Sequence, residues 1–145
     1  MKKILVTIAI IAGGLSTISA TENSVIDPKI ISAFEKEFSF AKNAKWEAKE
    51  DLTLVSFLLN DQSVTAWYNE DAELVMTARN ILYTQLPIPA MKALDKRYPE
   101  ADLFGIIEVI RNDEVHYQVT AETKKKTLIL KVTPTGNIEV KKRIK

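Results

Sequence analysis

Two polar turns separate three runs of alternating apolar residues in the segment 54-LVSFLLNDQSVTAWYNEDAELVMTA-78. A period of two residues is typical of β-strands that bury one face. The Asn, Asp and Ser residues between the runs favour chain reversal. The segment therefore predicts three consecutive antiparallel strands, with one set of side chains facing the core: Val55, Phe57, Leu59, Val64, Ala66, Tyr68, Leu74, Met76 and Ala78.

Helices are predicted on both sides of this segment. Asp27-Pro28 combines a good N-cap with a residue suited to the first helical turn, and the apolar spacing that follows predicts a helix ending near Lys42-Asn43. The prolines in residues 86–89 interrupt the chain, and residues 89–98 predict a second helix that Pro99 ends. Strand residues then alternate toward the carboxyl terminus: Leu103, Val115, Tyr117, Val119, Leu128, Leu130, Val132, Ile138 and Val140.

The two halves of the chain match each other at a nearly constant offset. Residues 33–38 align with residues 93–98, 60 positions later. After a longer second hairpin the offset becomes 64, which places an insertion at its tip, residues 122–126. A regular offset of this kind indicates two pseudo-repeats, about 27–80 and 87–144.

The predicted fold class follows from this duplication. One helix with four strands cannot easily bury both of its faces, whereas two such units can share one sheet. We therefore predict an α+β fold, in which two tandem helix-plus-four-strand repeats form one curved antiparallel sheet with both helices on one face. The chain of 145 residues is long enough for one such domain, residues 21–145, but not for two independent domains.

Three short motifs resemble the PepSY-like domains of secreted bacterial proteins: Ala44-Lys45-Trp46, the segment 67-WYNEDAEL-74 and the segment 132-VTPTGNI-138. Those domains are grouped with the beta-lactamase inhibitor protein (BLIP) fold, and the resemblance covers residues 27–144. It implies a curved eight-stranded sheet with an open face, which in the inhibitor grips an enzyme. The chain departs from the family in two respects. It has no cysteine for the inhibitor's disulfides, and Ala72 occupies a turn position where the family usually has glycine, as at Gly136.

The first twenty residues have the plan of a secretory signal peptide. Lys2 and Lys3 precede an apolar run over residues 4–15, and small residues lead to a predicted cleavage after Ala20. The run is too short for a membrane-spanning helix, and a buried amino-terminal strand is the alternative interpretation. Because no cysteine is available for a lipid anchor, we expect a periplasmic or secreted protein without a membrane anchor after signal cleavage.

Charge is unevenly distributed along the chain. Residues 124–145 contain eight basic side chains and one acidic one, whereas residues 21–123 are acidic overall. The two basic clusters, residues 124–126 and 141–143, should meet where the last two strands run side by side. Few aromatic residues accompany them and the predicted mature chain is close to neutral, so we expect no nucleic-acid partner.

The sequence offers little chemistry for catalysis or for cofactors. His116 is the single histidine, and no Gly-x-Ser-x-Gly motif, phosphate loop or dinucleotide motif is present. We predict a surface position for His116 and no catalytic residue. Residues 69–73 carry acidic oxygens but lack the glycine and distal glutamate of a calcium loop, so a hairpin turn is expected and no metal site or cofactor.

The side chains that alternate with the core form the predicted binding face. In the second half this set is mostly polar, whereas in the first half it is apolar and includes a tryptophan. A turn at Asp61-Gln62 would pair Ser56 with Trp67. Contiguous exposed apolar surface with a tryptophan is typical of an interface. The predicted binding residues are Trp67, Leu54, Leu58, Val75, Ser56 and Thr65.

Two alternatives to this interpretation of Trp67 stay open at the level of sequence. Trp67 could pack against a loop or tail of its own chain, or a bulge could reverse the strand's facing. The favoured function is a non-catalytic exported module that binds an unidentified protein, in the manner of an inhibitor. A periplasmic carrier of a small apolar ligand is the alternative, and an enzyme is disfavoured. A pocket closed on several sides around Trp67 would favour the carrier.

Overall fold

The structure is a computed structural model that describes residues 25–144. The predicted signal peptide, residues 1–20, lies outside the described residues. Neither helix within residues 25–144 combines the length and the apolar character that a membrane-spanning segment needs.

Within residues 25–144, two helices and eight strands follow one another in the order α-β-β-β-β-α-β-β-β-β. All eight strands form one antiparallel sheet in which spatial order equals chain order. This arrangement confirms the predicted α+β class and the single sheet, while the tandem duplication stays a prediction. The elements are α1 Pro28–Glu37, β1 Lys42–Lys49, β2 Leu52–Leu59, β3 Gln62–Asn69, β4 Leu74–Asn80, a 3₁₀ turn Tyr83–Gln85, α2 Ile88–Arg97, β5 Asp102–Arg111, β6 Glu114–Glu122, β7 Thr127–Val132 and β8 Ile138–Ile144.

Helix α1 begins as predicted but ends earlier than the sequence suggested. The Asp27 carboxylate accepts a hydrogen bond from the Lys29 amide at 2.8 Å, and Pro28 occupies the first turn. The helix ends at Glu37, and not near Lys42-Asn43, because Phe38 leaves the helical conformation with φ −121°. This turn brings the Phe38 ring to 4.8 Å from the Phe57 ring, so aromatic packing on the sheet decides where the helix stops.

Both helices cover the same face of the sheet, and each one packs over its own apolar cluster. Ile30 and Phe34 of α1 lie on β2 and β3, and Ala90 and Leu94 of α2 lie on β5, β6 and β7. The sequence predicts eight residues as the main contacts between sheet and helices, and two of these, Phe38 and Ile138, are partly buried. The other six are buried as predicted: Phe34, Phe57, Tyr68, Leu94, Tyr117 and Leu130.

A polar contact joins the two halves of the sheet on the helix-covered face. Arg79 Nε donates a hydrogen bond to Glu108 Oε1 at 2.6 Å across the β4–β5 pair. The Glu108 carboxylate also raises the pKa of the Tyr117 hydroxyl, after burial, which is the larger cause. Tyr117 belongs to the apolar cluster under α2, so this polar contact borders that cluster at the β4–β5 pair.

A bulge in β4 overturns part of the predicted facing of that strand. Tyr68 pairs with Leu74, whereas Trp67 pairs with Met76, so Val75 is an extra residue between them. Met76 and Ala78 therefore face away from the helices, contrary to the simple alternation through Leu74, Met76 and Ala78. The bulge lies in β4 and leaves β3 regular.

The β2–β3 register also differs from the prediction by two residues. The turn is formed by Asn60 and Asp61, with φ values of 50° and 63°, and not by Asp61-Gln62. Two successive left-handed residues define the tight hairpin turn that matches the twist of the strands, and Asn and Asp tolerate this conformation well. As a result Trp67 lies opposite Leu54 and not Ser56.

The two basic clusters meet, as predicted. The tip between β6 and β7 carries residues 124–126, and Thr127 pairs with Ile144 while Leu128 pairs with Arg143. Lys124 forms a long contact of 4.0 Å with Glu100, and both side chains are largely exposed. Exposed pairs of this kind contribute little to stability, so the cluster is mainly a solvated, charged edge of the sheet.

Candidate functional site

A row of side chains crosses the sheet on the face that the helices leave uncovered, which we call the open face. Cross-strand pairing places Leu54, Trp67 and Met76 side by side on β2, β3 and β4. Glu47 of β1 continues the row at one end and Arg111 of β5 at the other. The row therefore has an apolar centre and a charged residue at each end.

A cavity of about 520 Å³ opens at this row. Its apolar wall consists of Leu52, Leu54, Trp67, Val75 and Met76. The β1–β2 turn closes one side and the end of β5 the other, and the polar lining residues are Lys49, Glu50, Asp51, Asn69 and Arg111. The volume lies within the range of about 300–1,000 Å³ typical of ligand pockets.

Trp67 lies on the open face, as predicted, and it is only partly buried. Its next neighbour, Tyr68, is fully buried on the helix side, so the predicted facing of β3 holds. The Trp67 side chain packs against the cluster that contains Met76 and is joined there by Val75. Its own chain therefore covers one flank of the indole and leaves another flank exposed to the cavity.

The other predicted binding residues share this face but divide into two groups. Leu54 and Val75 line the cavity with Trp67. Ser56 and Thr65 form the next row, where their hydroxyl oxygens lie 3.2 Å apart. Leu58 pairs with Ser63 two rows from Trp67, outside the cavity lining. The structure thus brings three of the six residues together.

Sequence reasoning missed an apolar cluster on the open face of β4 and β5. Met76, Ala78, Ile107 and Val109 are all buried there, although neither helix covers them. Met76 and Ala78 were missed because the bulge at Val75 reverses the facing that simple alternation predicts for them. Gly105 has φ +57° beside a register shift in β5, and a glycine within a strand pattern is a signal for such a bulge that could have revealed Ile107 and Val109.

Arg111 is an exposed cation that lines the cavity. Within the described part of the chain, no carboxylate forms an ion pair with it. By contrast, Lys49 lies 3.1 Å from Glu47. Arg111 is paired in register with Glu114 on β6 but makes no ion pair with it. Its guanidinium is therefore available to an anionic group at the end of the row.

His116 occupies the open face next to this site and is partly buried, so the predicted surface position is correct only in part. It lies opposite Val109 of the apolar cluster. Burial is the main cause that lowers the pKa of its imidazole, and the positive charges of Lys131 and Lys141 act in the same direction. The neutral form is therefore favoured at this position.

Within residues 25–144, no group of three or more His, Cys, Asp or Glu side chains is arranged to hold a metal ion. Residues 69–73 form a hairpin turn, in which the Asn69 side-chain oxygen accepts hydrogen bonds from the amides of Asp71 and Glu73. That oxygen is occupied by the backbone of its own turn. The site is thus an apolar cavity with charged margins, which can bind but offers no arranged acid–base pair.

The fold matches several solved structures of Bacteroides proteins. A BLIP-like protein from Bacteroides fragilis superposes with a TM-score of 0.70 and 20% identity over 79% of this chain and 84% of that chain. A DUF2874 family protein from Bacteroides uniformis gives a TM-score of 0.72 and 18% identity, with 81% and 88% of the two chains covered. A Bacteroides eggerthii protein, provisionally assigned to the periplasm, gives a TM-score of 0.71 and 16% identity over 80% of this chain and 86% of that chain.

Sequence comparison adds no family assignment. No protein-family profile matches the chain, and no curated protein matches it. The structural matches agree with the resemblance carried by the turn and aromatic motifs, and at these identities they establish the fold. The chain therefore has the fold of the BLIP-like and DUF2874 proteins.

Proposed function

We propose that the protein is an exported, non-catalytic recognition module that binds another protein through the open face of its sheet. The observation that carries this proposal is the row Leu54, Trp67 and Met76, which is apolar, central and uncovered by either helix. A partly exposed tryptophan in an apolar hollow is the kind of side chain that dominates binding energy at protein interfaces.

Two further features support the proposal. The helices cover the opposite face and bury the two larger apolar clusters there, whereas the open face carries the smaller cluster of Met76, Ala78, Ile107 and Val109. The BLIP-like neighbour has the same fold, and the resemblance found in the sequence implies an open face of the kind that grips an enzyme in the inhibitor. An exported location rests on the signal-peptide pattern of residues 1–20.

The experiment is an affinity capture from periplasmic extract, followed by calorimetry with the captured protein after its purification. The bait is residues 21–145, compared with Trp67→Ala. Phe40→Ala is the matched control, because Phe40 is 80% exposed and lies outside the sheet in the α1–β1 connection. We expect Trp67→Ala to weaken binding by about 2 kcal/mol or more and Phe40→Ala to leave it unchanged. Equal binding by all three proteins would remove the case for the open face.

A carrier for a small apolar ligand is the second candidate function. The cavity volume of about 520 Å³ favours it, because the β1–β2 turn and β5 close two sides around Trp67. Native mass spectrometry of protein purified from its own periplasm distinguishes the two functions. A discrete small-molecule adduct that Trp67→Ala loses would establish the carrier, whereas a protein complex without any adduct would exclude it.

A further inference from the structure

We infer that the partner presents to the cavity a protein segment in which an apolar side chain lies next to a carboxylate, and that Arg111 binds this carboxylate. The inference rests on the proposed function and specifies the chemistry of the partner. In this inference Arg111 binds the carboxylate of the partner, while Trp67 and its neighbours pack against the apolar side chain.

The geometry of the row determines how far apart the apolar side chain and the carboxylate of the partner should be. Trp67, Met76 and Arg111 are successive members of the row on β3, β4 and β5. Adjacent strands are about 4.8 Å apart, so the row from Trp67 to Arg111 spans about 10 Å at the backbone. The long Arg111 side chain shortens this distance, which suits an apolar group and a carboxylate carried by the same or adjacent residues.

The charged residues at the two ends of the row differ in whether they are paired, and this difference favours an anionic group of the partner at the β5 end. Glu47, at the β1 end, already has Lys49 at 3.1 Å. Arg111, at the β5 end, has no such partner among the described residues, and its planar guanidinium suits two-point binding of a carboxylate.

The spread of charged side chains over the open face favours a protein over a small molecule. Register places Lys45 of β1, Lys131 of β7 and Lys142 of β8 on the same face as Arg111, and it places the acidic Glu47, Glu114 and Glu139 there as well. The sheet is about 34 Å wide from β1 to β8 at the usual strand spacing, which exceeds the reach of one small ligand. A protein surface can match charges of both signs over this width, with a carboxylate opposite Arg111.

Glu114 provides an internal test because it is the carboxylate nearest in register to Arg111. It competes electrostatically with an incoming carboxylate without holding Arg111 in an ion pair. Removing its charge should therefore strengthen anion binding, whereas removing the charge of Arg111 should weaken it. Opposite effects of two neighbouring substitutions are not expected from a loss of folding.

The experiment uses two probes with the same apolar body, 4-phenylbutanoate and 4-phenylbutanamide, in an ¹⁵N–¹H NMR titration. The chain has two tryptophans, so Trp46→Phe assigns the Trp67 indole N–H signal. We expect both probes to shift this signal and the acid to bind about three- to fivefold more tightly. Arg111→Gln should abolish the difference and retain binding of the amide. Glu114→Gln should enlarge the difference, and the control Arg143→Gln should leave it unchanged.

Several outcomes would overturn the inference. Equal affinity of the unaltered protein for the acid and the amide would show that Arg111 does not bind the carboxylate. A difference in affinity that remains in Arg111→Gln would show the same. A small carboxylic acid retained by the protein in native mass spectrometry would replace the protein segment as the occupant. Failure of either kind leaves the proposed function testable, because capture of a partner that depends on Trp67 is measured separately.

Discussion

Trp67 and Tyr68 are consecutive residues of β3 and lie on opposite faces of the sheet. Tyr68 is fully buried beneath α1, and its hydroxyl is 3.5 Å from the Glu37 carboxylate. Burial, and then the charge of Glu37, raise the pKa of this hydroxyl well above its usual value. Trp67 instead borders the cavity of the open face and is only partly buried. One step along the chain thus separates a core residue from a candidate contact residue.

Alanine substitution at these two positions should separate stability from binding. Tyr68→Ala should lower the free energy of unfolding by about 3–5 kcal/mol, because it leaves a large cavity in a closely packed cluster. Trp67→Ala should cost about 1–2 kcal/mol, since part of the indole packs against Met76 and Val75. Urea unfolding followed by circular dichroism measures both values. A larger loss for Trp67→Ala than for Tyr68→Ala would contradict the assignment of the two faces.

Much of the fold could be predicted from local patterns, because alternation and turn residues act over a few positions. The facing of β2, β3 and β6 followed from such patterns, as did the start of α1 at Asp27. The end of α1 could not be predicted, because it depends on the contact of Phe38 with Phe57, which is distant in sequence. Tertiary packing overrode local helix preference at that point.

The candidate site was harder to predict than the core. Trp67 and its open-face position followed from alternation, but Met76 and Arg111 belong to strands whose facing depends on bulges. A bulge inserts one residue and exchanges every later side chain between the faces. The sequence around Val75 contains no glycine or proline that would signal this insertion, so only the paired strands reveal it.

Phe57 should be among the most sensitive core positions of the first half. It is 2% exposed, and its ring lies 5.0 Å from the Phe34 ring and 4.8 Å from the Phe38 ring. Phe57→Ala should therefore cost about 3–5 kcal/mol, a large share of the total of about 5–15 kcal/mol for a typical domain. Thermal unfolding followed by circular dichroism measures the effect. A melting temperature equal to that of the unaltered protein would exclude this packing.

Ala72 and Gly136 should respond in opposite ways to exchange of alanine and glycine. Both occupy the same position of closely similar turns, with φ values of +61° and +93°. The Ala72 amide donates to the Asn69 carbonyl at 3.1 Å, and the Gly136 amide donates to the Thr133 carbonyl at 3.0 Å. Left-handed backbone is costly for alanine, so Ala72→Gly should stabilise the protein by about 0.5–1 kcal/mol.

Gly136→Ala should instead destabilise the protein by more than about 1 kcal/mol. A Cβ atom at this position would lie 2.7 Å from the Pro89 carbonyl oxygen, so the turn would have to move away from α2. Chemical unfolding of both variants under the same conditions provides the comparison. A stabilising effect of Gly136→Ala would mean that the turn does not approach α2 this closely.

His116 provides the last prediction, because the chain contains a single histidine whose titration can be followed directly. Burial beside Val109 and the charges of Lys131 and Lys141 lower the pKa of the imidazole below its ordinary value of 6.5, while Glu114 acts in the opposite direction. Between the lowered pKa and 6.5 the unfolded chain binds more protons than the folded chain. The stabilisation from neutral His116 is therefore complete above pH 6.5 and decreases as the pH falls through the folded pKa.

The measurement is an NMR titration of the imidazole Cε1–H signal, combined with unfolding experiments at several pH values. We expect a midpoint below that of a free histidine, and an upward displacement of the midpoint in Lys131→Gln, because one repelling charge is removed. His116→Asn should remove this contribution to the loss of stability on acidification. Glu114→Gln should move the midpoint further down, since the one favourable negative charge is lost. A midpoint above 6.5 in the unaltered protein would show that Glu114 outweighs burial and both lysines, and would reverse the predicted dependence on pH.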